Sequence, residues 1–220
     1  MRFAKAGYAA LAPDLFADSR EHPAPLSRER MEAFKEFIDS APSVWSDTKA
    51  REEALALLPE PRRSHVAESM AALTAIRARP DALVPKLIDA ANFLRADLSL
   101  TRVAKVGSVG FCMGGGLSGR LACADPEVAA AVIFYGTAAP IEQVPNIACP
   151  VLGFYGGLDA RVNAGIPGFA VAMEKHGKRF EHHVYAGVQH AFFNDNRPAY
   201  RAQASRDAFA RTLEWLRQAL

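Results

Sequence analysis

Apolar residues in this chain recur at helical spacing in some stretches and run together in others, and the two patterns alternate. Residues 27–40 place Met31, Phe34, Phe37 and Ile38 on one helical face, and Ala41-Pro42-Ser43 breaks that helix. Residues 47–58 read as a second helix with Arg51, Glu52 and Glu53 toward solvent, ended by Pro59-Glu60-Pro61. A third helix is predicted over 64–78. A fourth spans 82–96, with Leu83, Leu87, Ile88, Ala91 and Leu94 spaced for one buried face. Short apolar runs over 103–109, 128–135 and 150–155 read as strands, as does 180–185, and 112–123 and 168–175 as the helices between them. Residues 200–220 close the chain as an amphipathic helix with Phe209, Leu213 and Leu216 inward. Residues 1–6 read as the last turns of a helix, with Lys5 and Gly7 suited to its C-terminal end. Residues 8–12 read as a short buried strand stopped by Pro13-Asp14. Strands alternating with helices predict an α/β domain with a mainly parallel sheet. The 220 residues suit a single domain, and residues 17–63 form a possible helical cap or insertion within it.

Composition narrows the function classes. Half of the residues are hydrophobic and 23% are charged, as in an ordinary globular protein. A net charge of +2 argues against nucleic acid and against an acidic membrane surface. No apolar run approaches the ~20 residues of a membrane span. Three cysteines without paired spacing fit a reducing cytoplasm, with Cys123 and Cys149 expected to be buried and inert. His182 and His183 are adjacent on a predicted strand, so they point to opposite faces and cannot chelate a metal together. No metal site is expected.

The candidate chemistry starts at Gly110-Phe111-Cys112-Met113-Gly114, directly after a predicted strand. A strand, a sharp turn bearing one reactive side chain, and a helix is how a nucleophile elbow is built, usually as G-x-S-x-G. Here the central residue is cysteine, at a helix N-terminus that favours a thiolate. Asp159 follows the 150–155 strand in Gly156-Gly157-Leu158-Asp159, and His190 follows the 180–185 strand. The chain order nucleophile, acid, histidine matches α/β-hydrolases, and each residue falls just past the C-terminal end of a strand. Each has a plainer reading. Gly-x-Cys-x-Gly occurs around inert cysteines, Asp after Gly-Gly caps loops, and His190 beside Phe192 and Phe193 could be structural.

With these residues in place, the chain resembles the dienelactone hydrolases, or carboxymethylenebutenolidase-like proteins. The resemblance rests on Phe111-Cys112-Met113-Gly114-Gly115, the Asp159 loop, Tyr185-Ala186-Gly187-Val188-Gln189-His190-Ala191-Phe192 and the opening Ala6-Gly7-Tyr8-Ala9-Ala10-Leu11-Ala12-Pro13-Asp14-Leu15-Phe16. It spans most of the chain and is carried least by residues 17–79. It implies an α/β-hydrolase fold, no cofactor, and a Cys112-His190-Asp159 triad that opens small esters or lactones through a thioester. Met113 would supply one oxyanion donor. The resemblance also implies further strands ahead of residue 7, one of them interior to the sheet and carrying a second oxyanion donor. The expectation is therefore that the recorded chain starts late and is N-terminally truncated. Family members specific for dienelactone hold its carboxylate with an arginine four positions after the histidine. That position is Asn194 here, which leaves Arg161 and Arg197 as substitutes. Tyr135 and Phe192 are candidate pocket walls. The rival readings are a catalytically impaired binding protein of the same fold, or an acyltransferase using the same thiol. The partner expected is a small-molecule ester or lactone, with the oligomeric state open.

Overall fold

The computed structural model describes residues 2–17, 21–40, 44, 47–101 and 104–220. Met1, Val103 and the break expected at 41–43 lie outside them. The chain divides into two compact units, one of residues 1–13 and 81–220 and the other of residues 14–80. The segment 17–63 falls inside the second.

The first unit opens with a short helix α1 (Arg2–Lys5), followed by Gly7 at φ 94°, a left-handed C′ position that suits glycine. In the second unit, α2 (Arg28–Ser40), α3 (Thr48–Ala56) and α4 (Arg62–Ala78) follow one another. Phe34, Phe37 and Ile38 of α2 pack with Val66, Met70 and Leu73 of α4 in a small core of their own. Asp47 caps α3, its carboxylate accepting from the Lys49 and Ala50 N–H groups at 2.9 and 3.1 Å.

The first unit carries the sheet. Its entry helix, expected to be continuous over 82–96, is instead a 3₁₀ turn (Pro80–Leu83), α5 (Val84–Asn92) and a π-helical turn (Phe93–Asp97). Pro85 sits in the first turn of α5, where its missing N–H costs nothing and its fixed φ suits a start. Among the described residues four strands follow: β1 (Val106–Phe111), β2 (Val128–Phe134), β3 (Val151–Gly156) and β4 (Phe180–Tyr185), paired in that order and all parallel. Between them lie α6 (Met113–Ala124), a 3₁₀ turn (Ile141–Asn146), α7 (Ala160–Asn163) and α8 (Ile166–Lys175). The chain closes with α9 (Ala202–Ala219).

Period-two alternation divides the core. Ala131, Ile133, Val151 and Tyr155 join Leu121, Phe169 and Met173 from α6 and α8 on one face. Ala130, Val132, Phe134, Leu152 and Phe154 join Trp215 and Leu216 of α9 on the other. β2 and β3 are therefore covered on both faces, which explains their apolar composition.

Residues 8–12 differ from expectation. They form no strand, and Leu11 is 43% exposed. A short apolar run becomes a strand only where a neighbour accepts its ladder hydrogen bonds. Among the described residues, β1 pairs with β2 alone, and residues 8–12 pair with no strand. Tyr8 still packs at the margin of the α9 core, its hydroxyl 3.5 Å from the Leu213 carbonyl oxygen.

Candidate active site

β1 ends at Phe111 and α6 begins at Met113, so Cys112 alone makes the turn. Its backbone is at φ 54°, ψ −117°, a strained conformation for a residue with a side chain. The strain is held by hydrogen bonds on both sides. The Cys112 N–H donates to the Phe134 carbonyl at 2.9 Å, and the Cys112 carbonyl accepts from Gly115 and Gly116 at 3.0 and 3.3 Å. Met113 is the first residue of α6, where a backbone N–H has no acceptor within the helix.

The other two candidates come from the next loops along the same sheet edge. Asp159 lies just past β3 as the N-cap of α7, and His190 follows β4. His190 Nδ1 and Asp159 Oδ2 are 2.5 Å apart, although the residues are 31 apart in sequence. Cys112 also acts on the imidazole, and its influence raises the His190 pKa. The Asp159 side chain is 9% exposed and that of His190 33%, so the pair is shielded and one edge of the ring stays open. Burial pulls the His190 pKa down, but the influence of Cys112 and Asp159 outweighs it and holds it above its ordinary value.

Aromatic rings floor this edge. The register aligns Phe111, Phe134, Phe154 and His183 across the four strands, with successive ring centroids 4.7, 4.9 and 5.5 Å apart. Tyr135, one residue past β2 and at φ 40°, sets its ring edge-on to His190 at 4.9 Å and to Phe192 at 5.4 Å. Burial, and then the neighbouring Cys112, push the Tyr135 phenol well above its usual range, so it remains protonated. Phe192 is fully buried and also packs on Tyr185. The structure thus brings together Cys112, Asp159, His190, Tyr135 and Phe192. It does not place Asn194 and Arg161 with them in the same way. The Asn194 side chain turns back on its own loop to accept the Asn196 N–H at 3.1 Å, and Arg161 is exposed on α7. Phe111 and Phe193, stacked at 5.3 Å, were missed. The signal available was two pairs of adjacent aromatics, Phe134-Tyr135 at the end of β2 and Phe192-Phe193 in the loop after β4.

Cys123 and Cys149 are buried, and burial raises each thiol to about 11. His182 stacks on Phe180 at 5.1 Å and His183 on Phe154, so the two rings lie on opposite faces of β4. Among the described residues, no group of three or more His, Cys, Asp or Glu could hold a metal ion, and no helix is long and apolar enough to cross a membrane.

A parallel sheet covered by helices, with an elbow after one strand and an acid and a histidine on later strand ends, is an α/β-hydrolase fold. Solved structures of that fold match the chain. A dienelactone hydrolase-like promiscuous phosphotriesterase from metagenomic libraries aligns with a TM-score of 0.59 and 18% identity, over 99% of this chain and 77% of its own. A dienelactone hydrolase from Anabaena variabilis aligns with a TM-score of 0.55 and 21% identity, over 90% and 82%. The chain belongs to the dienelactone hydrolase family, whose model matches residues 1–220. A relative from Saccharolobus solfataricus that carries the name carboxymethylenebutenolidase is 32% identical over 219 residues, 99% of this chain and 81% of its own length. One of the same name from Methylorubrum extorquens is 34% identical over 150 residues, and there the match spans about half, 52%, of the relative. The family is one of hydrolytic enzymes.

Proposed function

We propose that the protein hydrolyses small esters or lactones, with Cys112 as nucleophile, His190 as general base and acid, and Asp159 as the group that orients the imidazole. The observation that carries this reading is the position of His190, its Nδ1 2.5 Å from Asp159 Oδ2 and its pKa raised by both Asp159 and Cys112.

The Cys112 sulfur attacks the acyl carbon while its proton passes to His190. The negative charge that develops on the acyl oxygen is met by the Met113 N–H at the start of α6. Collapse breaks the carbon–oxygen bond to the leaving alcohol, which takes the proton from His190. In a lactone that hydroxyl stays tethered to the acyl group. Water then attacks the thioester, giving its proton to His190. The carbon–sulfur bond breaks, and the sulfur recovers the proton. Asp159 holds the tautomer in which Nδ1 carries hydrogen and stabilises the imidazolium formed twice per cycle. The walls offered to the acyl chain are Tyr135 and Phe192, which favours compact, largely apolar acyl groups.

The test is steady-state hydrolysis of p-nitrophenyl acetate before and after iodoacetamide, beside Cys112→Ala. Turnover abolished by alkylation and absent in the variant is expected. A stoichiometric burst without turnover would favour the impaired binding protein. Acylated product on addition of an acceptor amine would favour acyl transfer. Turnover that survives loss of the thiol would refute the assignment.

A further inference from the structure

We infer that Asn163 is a positioning residue whose carboxamide clamps the turn that aims Asp159 at His190. The inference rests on the catalytic reading above for its consequence, and on hydrogen-bond geometry for the clamp itself.

Asn163 is the last residue of α7, the single turn that starts at Asp159. Its Nδ2 donates to the Gly156 carbonyl at 2.8 Å, and its backbone N–H donates to the Asp159 carbonyl at 3.0 Å. The same Gly156 carbonyl accepts the Asp159 N–H at 3.0 Å. One oxygen at the end of β3 therefore receives a donor from the acid and a donor from the far end of the acid's helix. The other side of Gly156 faces the histidine loop, where an added Cβ would come within 2.6 Å of both the Val188 and Gln189 carbonyl oxygens. Gly157 and Leu158 bond into the same loop, their N–H groups donating to Tyr185 and Val188 at 2.8 and 2.9 Å. Gly156 is thus the pivot shared by the acid turn and the histidine loop, and among the described residues Asn163 is the side chain bonded to it.

The opposite end of that side chain shows what it is kept for. Asn163 Oδ1 is buried, and no protein group among the described residues donates to it. A buried acceptor without a protein donor is unfavourable, a penalty an apolar side chain of the same size would avoid. Gly156 would not be orphaned by such a change, because the Asp159 N–H remains. Local stability therefore does not account for the amide, whereas its donor, fixing the turn within the small tolerance a catalytic hydrogen bond allows, does.

The experiment compares Asn163→Leu, which keeps the volume and removes both polar ends, with Asn163→Ala and with Cys112→Ala. Steady-state kinetics and an NMR titration of His190 are measured on each. Both Asn163 variants are expected to lose about ten- to a hundredfold in kcat/KM with KM little changed. The His190 titration should move down toward its ordinary value as the Asp159 bond loosens, while Asn163→Leu melts no lower than wild type. A leucine variant with full activity and an unmoved His190 titration overturns the inference, as does an activity loss with that titration unmoved. Were Cys112→Ala to turn over like wild type, the catalytic reading would fail alone, and the His190 titration would still decide the clamp. Asn163→Ala carries the same readouts if the leucine variant does not fold.

Discussion

Gly110 stands so close to Gly114 that a Cβ built on it would lie 1.8 Å from the Gly114 carbonyl oxygen. That contact is backbone to side chain across the elbow, and no rotamer change relieves it. Gly110→Ala must open the turn that sets Cys112 at φ 54°. The expected outcome is a loss of about 3 kcal/mol or more in unfolding free energy, together with loss of ester turnover. Chemical denaturation of the two proteins measures it. A variant of wild-type stability would mean that the elbow is not built as described.

The three thiols should separate sharply. Cys112 is partly exposed at the elbow, while Cys123 and Cys149 are buried and hard to ionise. Brief iodoacetamide treatment of the folded protein, read by peptide mass spectrometry, should modify Cys112 alone. All three should react after denaturation. Early labelling of Cys123 or Cys149 would contradict the burial of the α6 core.

His190 links the site to pH. Its pKa is raised in the folded protein above the ~6.5 of a free imidazole. A raised folded-state pKa stabilises the protonated protein. The contribution is complete below the unfolded value and disappears as pH rises through the folded one. The stability difference between wild type and His190→Gln should therefore shrink from pH 5 toward pH 9. A difference that grows with pH would reverse the sign argued here. Under the proposed mechanism only neutral His190 accepts the thiol proton, so the acidic limb of kcat/KM should lie above the ordinary imidazole range. Asp159→Asn, which removes one of the bonds that raise the pKa, should move that limb down and cost a factor on the order of 10²–10⁴ in kcat.

Phe192 joins the site to the α9 core. It is fully buried and contacts Tyr135 and Tyr185, and its backbone carbonyl accepts from the buried Ser205 hydroxyl at 2.9 Å. Phe192→Ala should cost about 3–5 kcal/mol. Phe192→Leu should retain most of the stability while changing the preference between acetyl and longer acyl esters. Identical acyl-chain profiles for wild type and leucine variant would remove Phe192 from the pocket wall.

The primary sequence determined those features whose cause is local. Apolar runs between helices marked β1, β2 and β3, and the short segment after α8 marked β4. In a parallel sheet each such run delivers its following loop to one edge, so Cys112, Asp159 and His190 could be placed there from order alone. Glycines beside Cys112 marked the elbow, because only a residue without Cβ permits the approach of Gly110 to Gly114. Tertiary structure decided everything that needs a partner. Residues 8–12 have the apolar character of a strand, yet no described strand pairs with them. The Asn194 side chain was spent on its own loop, a choice set by the backbone path after Phe193. The role argued for Asn163 was invisible in the chain, since a polar residue at the end of a short helix signals nothing until Gly156 lies 2.8 Å away. Periodicity records which face of an element seeks burial, and only the packed molecule shows what it meets there.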